Sequence, residues 1–154
     1  MTTEPIYTGF YPKLKTLNKK PDYWFLQQQK ITDRFIFTAD IFLNGASSIV
    51  AIVLHNIHGY PLYALMDDNS FIHMFCKKDD AFIDIRGITN DFSLFIRPFA
   101  GNDKENTWKI EDVVPIKWEQ VFQHAKTFHK ENYYELEHIA QHYIFHTNPM
   151  AYRI

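Results

Sequence analysis

Two short runs of β-favouring residues, Phe71 to Cys76 and Ala81 to Ile85, flank the polar segment Lys77 to Asp80. That is the pattern of a hairpin. With Lys78-Asp79 as a two-residue loop, Lys77 faces Asp80, and counting back along both strands puts His73 directly opposite Asp84. Opposed residues share a face of the ladder with their side chains in reach of each other. The other face carries Ile72, Met74 and Cys76 against Ala81, Ile83 and Ile85, an apolar set ready to meet a core. Spacing thus pairs a histidine with a carboxylate on the face away from that apolar layer.

The residues just before the hairpin can bring a third polar group to the pair. Asn44-Gly45 is a turn dipeptide, and Ser47 or Ser48 is a good helix cap. Ile49, Val50, Val53 and Leu54 then recur at helical spacing as far as His58, and Gly59 is a natural stop in the left-handed region. Leu62 to Met66 reads as a strand and Asp67-Asp68-Asn69 as a turn. The order is therefore helix start, strand, turn, strand, turn, strand.

The flanks are less patterned. Met1 to Lys20 reads as an extended arm, Pro21 to Gln29 and Thr32 to Leu43 as short helices, although Phe35, Ile36 and Phe37 would suit a strand as well. Past Gly87, a short helix over Thr89 to Phe95 is capped by Thr89 or Asn90, Pro98 to Asn106 is a loop, and Trp108 to Val114 a last strand. Pro115 opens a long helical region, broken near Lys130 to Asn132 and ending around His146. The 154 residues fit a single domain of the α+β class: a helix packed on a small antiparallel sheet, with additional C-terminal helices. Aromatic residues at 17% imply a ring-rich core.

Several function classes are disfavoured. A formal net charge of -2 lacks the basic footprint of a nucleic-acid binder. The longest apolar run, Ile49 to Leu54, is far too short for a membrane span. Cys76 is the single cysteine, so no internal disulfide is expected. The opening residues do not read as a secretory signal, which points to a cytoplasmic protein or one exported by another route.

Ser47, His73 and Asp84 suit nucleophilic acyl chemistry. A nucleophile at a helix start sits beside free first-turn N–H groups and the positive end of the dipole, and those amides can form part of an oxyanion hole. A histidine on a neighbouring strand can take the nucleophile's proton, and an aspartate can hold the imidazole in the useful tautomer. Asn44 and Ser48 are the candidate oxyanion or substrate contacts. The plainer alternative is a helix-capping serine beside a cross-strand His–Asp surface contact.

Asn44-Gly45-Ala46-Ser47-Ser48-Ile49-Val50-Ala51-Ile52-Val53-Leu54-His55 resembles a segment of small bacterial and phage papain-like proteins. In those, Gly-x-Cys precedes an Ala-x-Ala-Leu-His type helix, and a His-Val or His-x-Phe strand and a Tyr/Phe-x-Asp-x-Arg-Gly strand follow. His73-Met74-Phe75 and Phe82-Ile83-Asp84-Ile85-Arg86-Gly87 stand in those places. The resemblance covers Asn44 to Gly87. It implies a papain-like fold and a thiol enzyme that cleaves, deamidates or transfers amide or acyl groups of a protein or peptide, without a cofactor or metal. A toxin or effector setting, with a cognate immunity or inhibitor protein, belongs to the same implication. Ser47 falls where the family has cysteine. An imidazole tuned to make a thiolate activates a hydroxyl poorly, so the resemblance implies an inactive form, through an engineered Cys-to-Ser change or as a natural pseudoenzyme that serves as an interaction module.

Other residues have plainer readings. Cys76 faces away from His73 by the two-residue period and reads as a buried thiol. His138, His142 and His146 recur every four residues, a spacing compatible with metal ligation but better read, without a second ligand segment, as a polar or interface face. His55 and His58 suit a helix C-terminus. Arg86 is either a buttress for the site or a surface charge after a strand.

Overall fold

The computed structural model describes residues 39, 41–43, 45–99, 108–147 and 152–154. The expected N-terminal arm, Asn44, the helix expected over Pro21 to Gln29, and nearly all of the Pro98 to Asn106 loop lie outside the described residues. Residues 41–43 are helical, where the second expected helix ends.

Among the described residues five antiparallel strands form one sheet: β1 (Leu62–Asp67), β2 (Ser70–Lys78), β3 (Ala81–Asp84), β4 (Gly87–Thr89) and β5 (Val113–Pro115), in the spatial order β4-β3-β2-β1-β5. The helix α1 (Ser47–His58) lies against β2. A shorter helix, α2 (Phe92–Ile96), follows β4; α3 (Trp118–Phe128) and α4 (Tyr133–Gln141) pack on α1, and a π-helical turn, His142–Thr147, extends α4. The expected α+β class therefore holds at the level of a helix on an antiparallel sheet with C-terminal helices. Among the described residues no helix is long and apolar enough to cross a membrane.

The place of α1 explains its composition. Every residue from Ser48 to Leu54 is buried, all the way round the helix. A helix apolar on every face needs covering on every face, and here the sheet covers one side while α3 and α4 supply more. Its C-terminus closes on Gly59 at φ 72, whose N–H donates to the His55 carbonyl, as expected from sequence. His55 Nδ1 donates to the Tyr60 carbonyl at 2.8 Å, fixing the exit of the helix.

Three local expectations need correction. The hairpin loop is Asp79-Asp80, one residue later than expected, and Lys78 pairs with Ala81, so the register moves by two. Asp79 takes the left-handed conformation (φ 53) that the loop needs, which aspartate tolerates and lysine resists. Asp91, not Thr89 or Asn90, caps α2 by accepting from Leu94 N at 3.2 Å; Thr89 belongs to β4 and its hydroxyl accepts from Asp91 N. The last strand shrinks to β5, because Ile110–Asp112 forms a 3-10 turn, and Pro115 ends that strand instead of opening α3.

A bulge also alters β2. Leu65 pairs with His73 but Met66 pairs with Phe71, leaving Ile72 as the extra residue. Ile72 is thereby 37% exposed, not part of the apolar face assigned to it. Met74, Cys76, Ile83 and Ile85 do remain buried, and Cys76 Sγ reaches the Ala51 carbonyl of α1 at 3.5 Å.

Candidate active site

His73 and Asp84 come together despite the altered register. The register moved by an even number, so both residues kept the same face and became diagonal neighbours. His73 Nε2 lies 2.9 Å from Asp84 Oδ2. A carboxylate only accepts, so Nε2 carries the proton and Nδ1 of the neutral ring offers a lone pair. The pair is not a surface contact, since each residue is 1% exposed.

Arg86 is the reason a carboxylate survives there. It is fully buried, which overturns the surface-charge reading. Its backbone N–H and Nε donate to Asp84 Oδ1 at 2.8 and 3.1 Å, and its Nη2 donates to Oδ2 at 2.6 Å. Nη2 also donates to the Phe95 carbonyl of α2 at 3.0 Å. Burial alone would raise the Asp84 pKa, but the Arg86 charge and the His73 and Arg86 hydrogen bonds outweigh it and hold the carboxyl well below the ordinary range. Behind this turn, Tyr152 Oη donates to the Ile85 carbonyl at 2.6 Å, and Tyr60 Oη donates to the Tyr152 carbonyl.

An aromatic sheath encloses the dyad. His73 stacks on Phe99 at 4.4 Å between centroids and touches Phe75 and Phe95, while the Arg86 guanidinium lies 5.2 Å from the Phe95 ring. Burial in this shell pushes the His73 pKa down, and the nearby Arg86 charge adds to that; Asp84 pulls the other way but shares its charge with Arg86. The ring is therefore neutral at neutral pH.

Ser47 meets β2 at a gap in the ladder. Lys77 N bonds the Pro61 carbonyl, so along β2 the odd-numbered N–H groups near it point to β1 and Met74 N points toward β3. The chain turns away at Ile85 and Arg86 into β4, and the β2–β3 ladder stops at Cys76 and Ile83. Met74 N is left without a strand partner and donates to Ser47 Oγ at 3.0 Å. The expected capping role fails for this reason. Ala46 is the N-cap residue, without a side-chain hydrogen bond, and Ser47 is the first helical residue with its hydroxyl committed sideways. Gly45 makes the approach possible, at φ 126, where an L side chain would be strained; its carbonyl accepts from His129 Nε2 at 2.9 Å.

Ser47 and His73 share the lining of one cavity of about 310 Å³. They are not hydrogen-bonded to each other: Ser47 Oγ holds Met74 N, and His73 Nδ1 is buried without a partner. Ser48 is buried with an unpartnered hydroxyl and does not line that cavity. Asn44 lies outside the described residues. Cys76 faces α1 as expected, and burial raises its thiol pKa far above the usual range. Among the described residues no three His, Cys, Asp or Glu side chains are grouped to hold a metal. His138, His142 and His146 are exposed along α4 and the π-helical turn.

One cavity residue has no signature in the sequence. His124 of α3 lies edge-on to Phe71 at 5.7 Å and beside Phe128 at 4.5 Å, with a buried, unpartnered Nδ1. Burial and then the neighbouring His129 lower its pKa. Compared with protein-family models, curated proteins and solved structures, the chain matches none.

These pKa directions set an acid limit on the fold. His73, His124 and His58 are each held below the ordinary value of 6.5, by burial first in every case. The unfolded chain binds protons there more readily than the folded one, so stability is full above about pH 6.5 and declines as pH falls through the lowered values. Asp84 adds a second loss below about pH 4, where the unfolded carboxyl protonates first. Urea midpoints are expected to be level from pH 8 to 7 and to fall at pH 6 and 5; a level profile to pH 5 contradicts the buried neutral rings.

Proposed function

We propose that this site is an acyl-transfer centre of the papain-like type, with position 47 as the nucleophile position, His73 as base and Asp84 as its orienter. The observation that carries the reading is the His73 ring: one nitrogen is tied to a buried carboxylate and the other is buried without a partner, in a residue that lines the same cavity as Ser47. In the reaction, the residue-47 nucleophile bonds to the carbonyl carbon of an amide while its proton passes to His73 Nδ1. The C–N bond then breaks, the leaving amine takes that proton, and water or a second amine releases the acyl group. Peptide hydrolysis, side-chain deamidation and transamidation differ only in which amide enters and what completes the second step.

Serine weakens the first step. The hydroxyl ionises far less readily than a thiol, and Ser47 Oγ is already an acceptor for Met74 N–H. That second fact favours a second reading, a non-catalytic binding module in which Ser47 closes the gap in the sheet.

Ser47→Cys separates the two. With iodoacetamide at neutral pH, the introduced thiol is expected to alkylate at least about tenfold faster than free cysteine, because a neighbouring imidazole lowers thiol pKa. His73→Ala in the same background removes the excess. Cys76, buried against Ala51, stays silent in the folded chain, so the label reports one site. Alkylation no faster than free cysteine, or unchanged by His73→Ala, leaves the binding module.

A further inference from the structure

The two-residue turn Ile85-Arg86, which joins β3 to β4, leaves one peptide unit outside the ladder. Asp84 pairs with Gly87, so the unit made of the Ile85 carbonyl and the Arg86 N–H sits at the tip of the hairpin without a cross-strand partner. Both residues are fully buried, and each end of that unit needs a bond of its own. The Arg86 N–H donates to Asp84 Oδ1 at 2.8 Å, and the Ile85 carbonyl accepts from Tyr152 Oη at 2.6 Å. One rigid peptide plane therefore stands between the Tyr152 hydroxyl and the carboxylate that holds His73.

Tyr152 is itself held. It is fully buried, its carbonyl accepts from Tyr60 Oη at 2.8 Å, and the same Tyr60 oxygen accepts from Ile154 N at 3.1 Å. Burial first, and the Asp84 charge after it, push the Tyr152 phenol pKa up, so the hydroxyl keeps its proton and serves as a donor. We propose that Tyr152 is a positioning residue for the His73–Asp84 couple, acting through the Ile85–Arg86 peptide, with Tyr60 as its anchor. The bonds reinforce one another: a donor on the carbonyl makes the N–H of the same unit a stronger donor to Asp84. Without the Tyr152 hydroxyl the Ile85 carbonyl is buried and unsatisfied, and the plane turns to seek another donor. That rotation takes the Arg86 N–H off Oδ1, and the carboxylate loses the bond that sets its angle to His73. The Arg86 side chain still neutralises Asp84, so aim is lost and charge is kept.

The inference extends the centre proposed above by one residue and rests on that reading for calling His73 a base. Its readout is the His73–Asp84 bond itself, on the chain with Ser47 intact, followed through the His73 Nε2–H signal by proton NMR at pH 7.5. In Tyr152→Phe, which keeps the ring and removes only the hydroxyl, the signal is expected to move upfield as the bond to Asp84 lengthens. Its exchange with water is expected to become at least about tenfold faster. Tyr60→Phe is expected to move the signal the same way by a smaller amount. Leu136→Ala, in α4, lowers stability too but breaks none of these bonds, and is expected to leave the signal where it was. A folded Tyr152→Phe chain with the His73 signal in place overturns the inference, and so does an equal displacement in Leu136→Ala. Where Tyr152→Phe does not fold, Tyr60→Phe decides: a displaced signal supports the inference and an unmoved one overturns it. Loss of His73-dependent alkylation in the Ser47→Cys chain removes the acyl-transfer reading alone and leaves the positioning of His73 by Tyr152 standing.

Discussion

Replacing Asp84 with alanine is expected to cost about 3–5 kcal/mol of folding stability, measured as the shift in urea unfolding at pH 7.5. The carboxylate itself is a small part of the reason. Its removal leaves the Arg86 guanidinium at 0% exposure with its closest counter-charge gone, and leaves the buried His73 Nε2–H without its acceptor. Breaking one side of a buried pair is costly because the other side stays behind. The same logic predicts a partial rescue. Asp84→Ala combined with Arg86→Leu is expected to be more stable than Asp84→Ala alone, since the buried positive charge is removed together with the carboxylate it pairs with. A loss below about 1 kcal/mol for the single variant is what an exposed ion pair gives, and would place Arg86 in water.

A loss of similar size is expected at Phe95. Its side chain is fully buried and packs on Phe75 at 4.7 Å, Phe82 at 4.8 Å and the rings of His73 and Phe99. Phe95→Ala opens a cavity between α2 and the sheet, at about 3–5 kcal/mol by urea unfolding. Two readouts distinguish this from ordinary core loss. The His73 ring signals move, because a ring at 5.7 Å has gone, and the iodoacetamide rate of the Ser47→Cys chain falls as the imidazole loses its support. Phe95→Leu keeps most of the volume and is expected to cost under about 1.5 kcal/mol. Unchanged His73 signals in Phe95→Ala would mean that Asp84 and the sheet alone hold the ring.

The sequence carried the face of the His–Asp couple but not its pairing. Alternation in Phe71 to Cys76 and Ala81 to Ile85 assigns His73 and Asp84 to one side, and that survives any slip of two residues. Which residues turn depends on backbone conformation at Asp79, a local choice between neighbouring polar residues that periodicity does not register. Arg86 was ambiguous because its burial depends on Phe95 and Phe99, which arrive from a later part of the chain. Ser47 was legible as the head of a helix; its bond to Met74 was not, because it depends on β3 ending where it does. His124 had no signal at all. It lies on an amphipathic helix between the buried residues Val121 and Ala125, and nothing in a one-dimensional reading brings it to Phe71.

Among the described residues the sheet's two outer members, β4 and β5, are three residues each, and β5 ends in Pro115, which has no N–H to offer. A stray strand from a neighbouring molecule would find too few consecutive amides and carbonyls on either rim to register with. The ring-rich interior is thus fenced at its margins against cross-molecular sheet growth, a safeguard that matters for a chain so heavily built from phenylalanine and tyrosine.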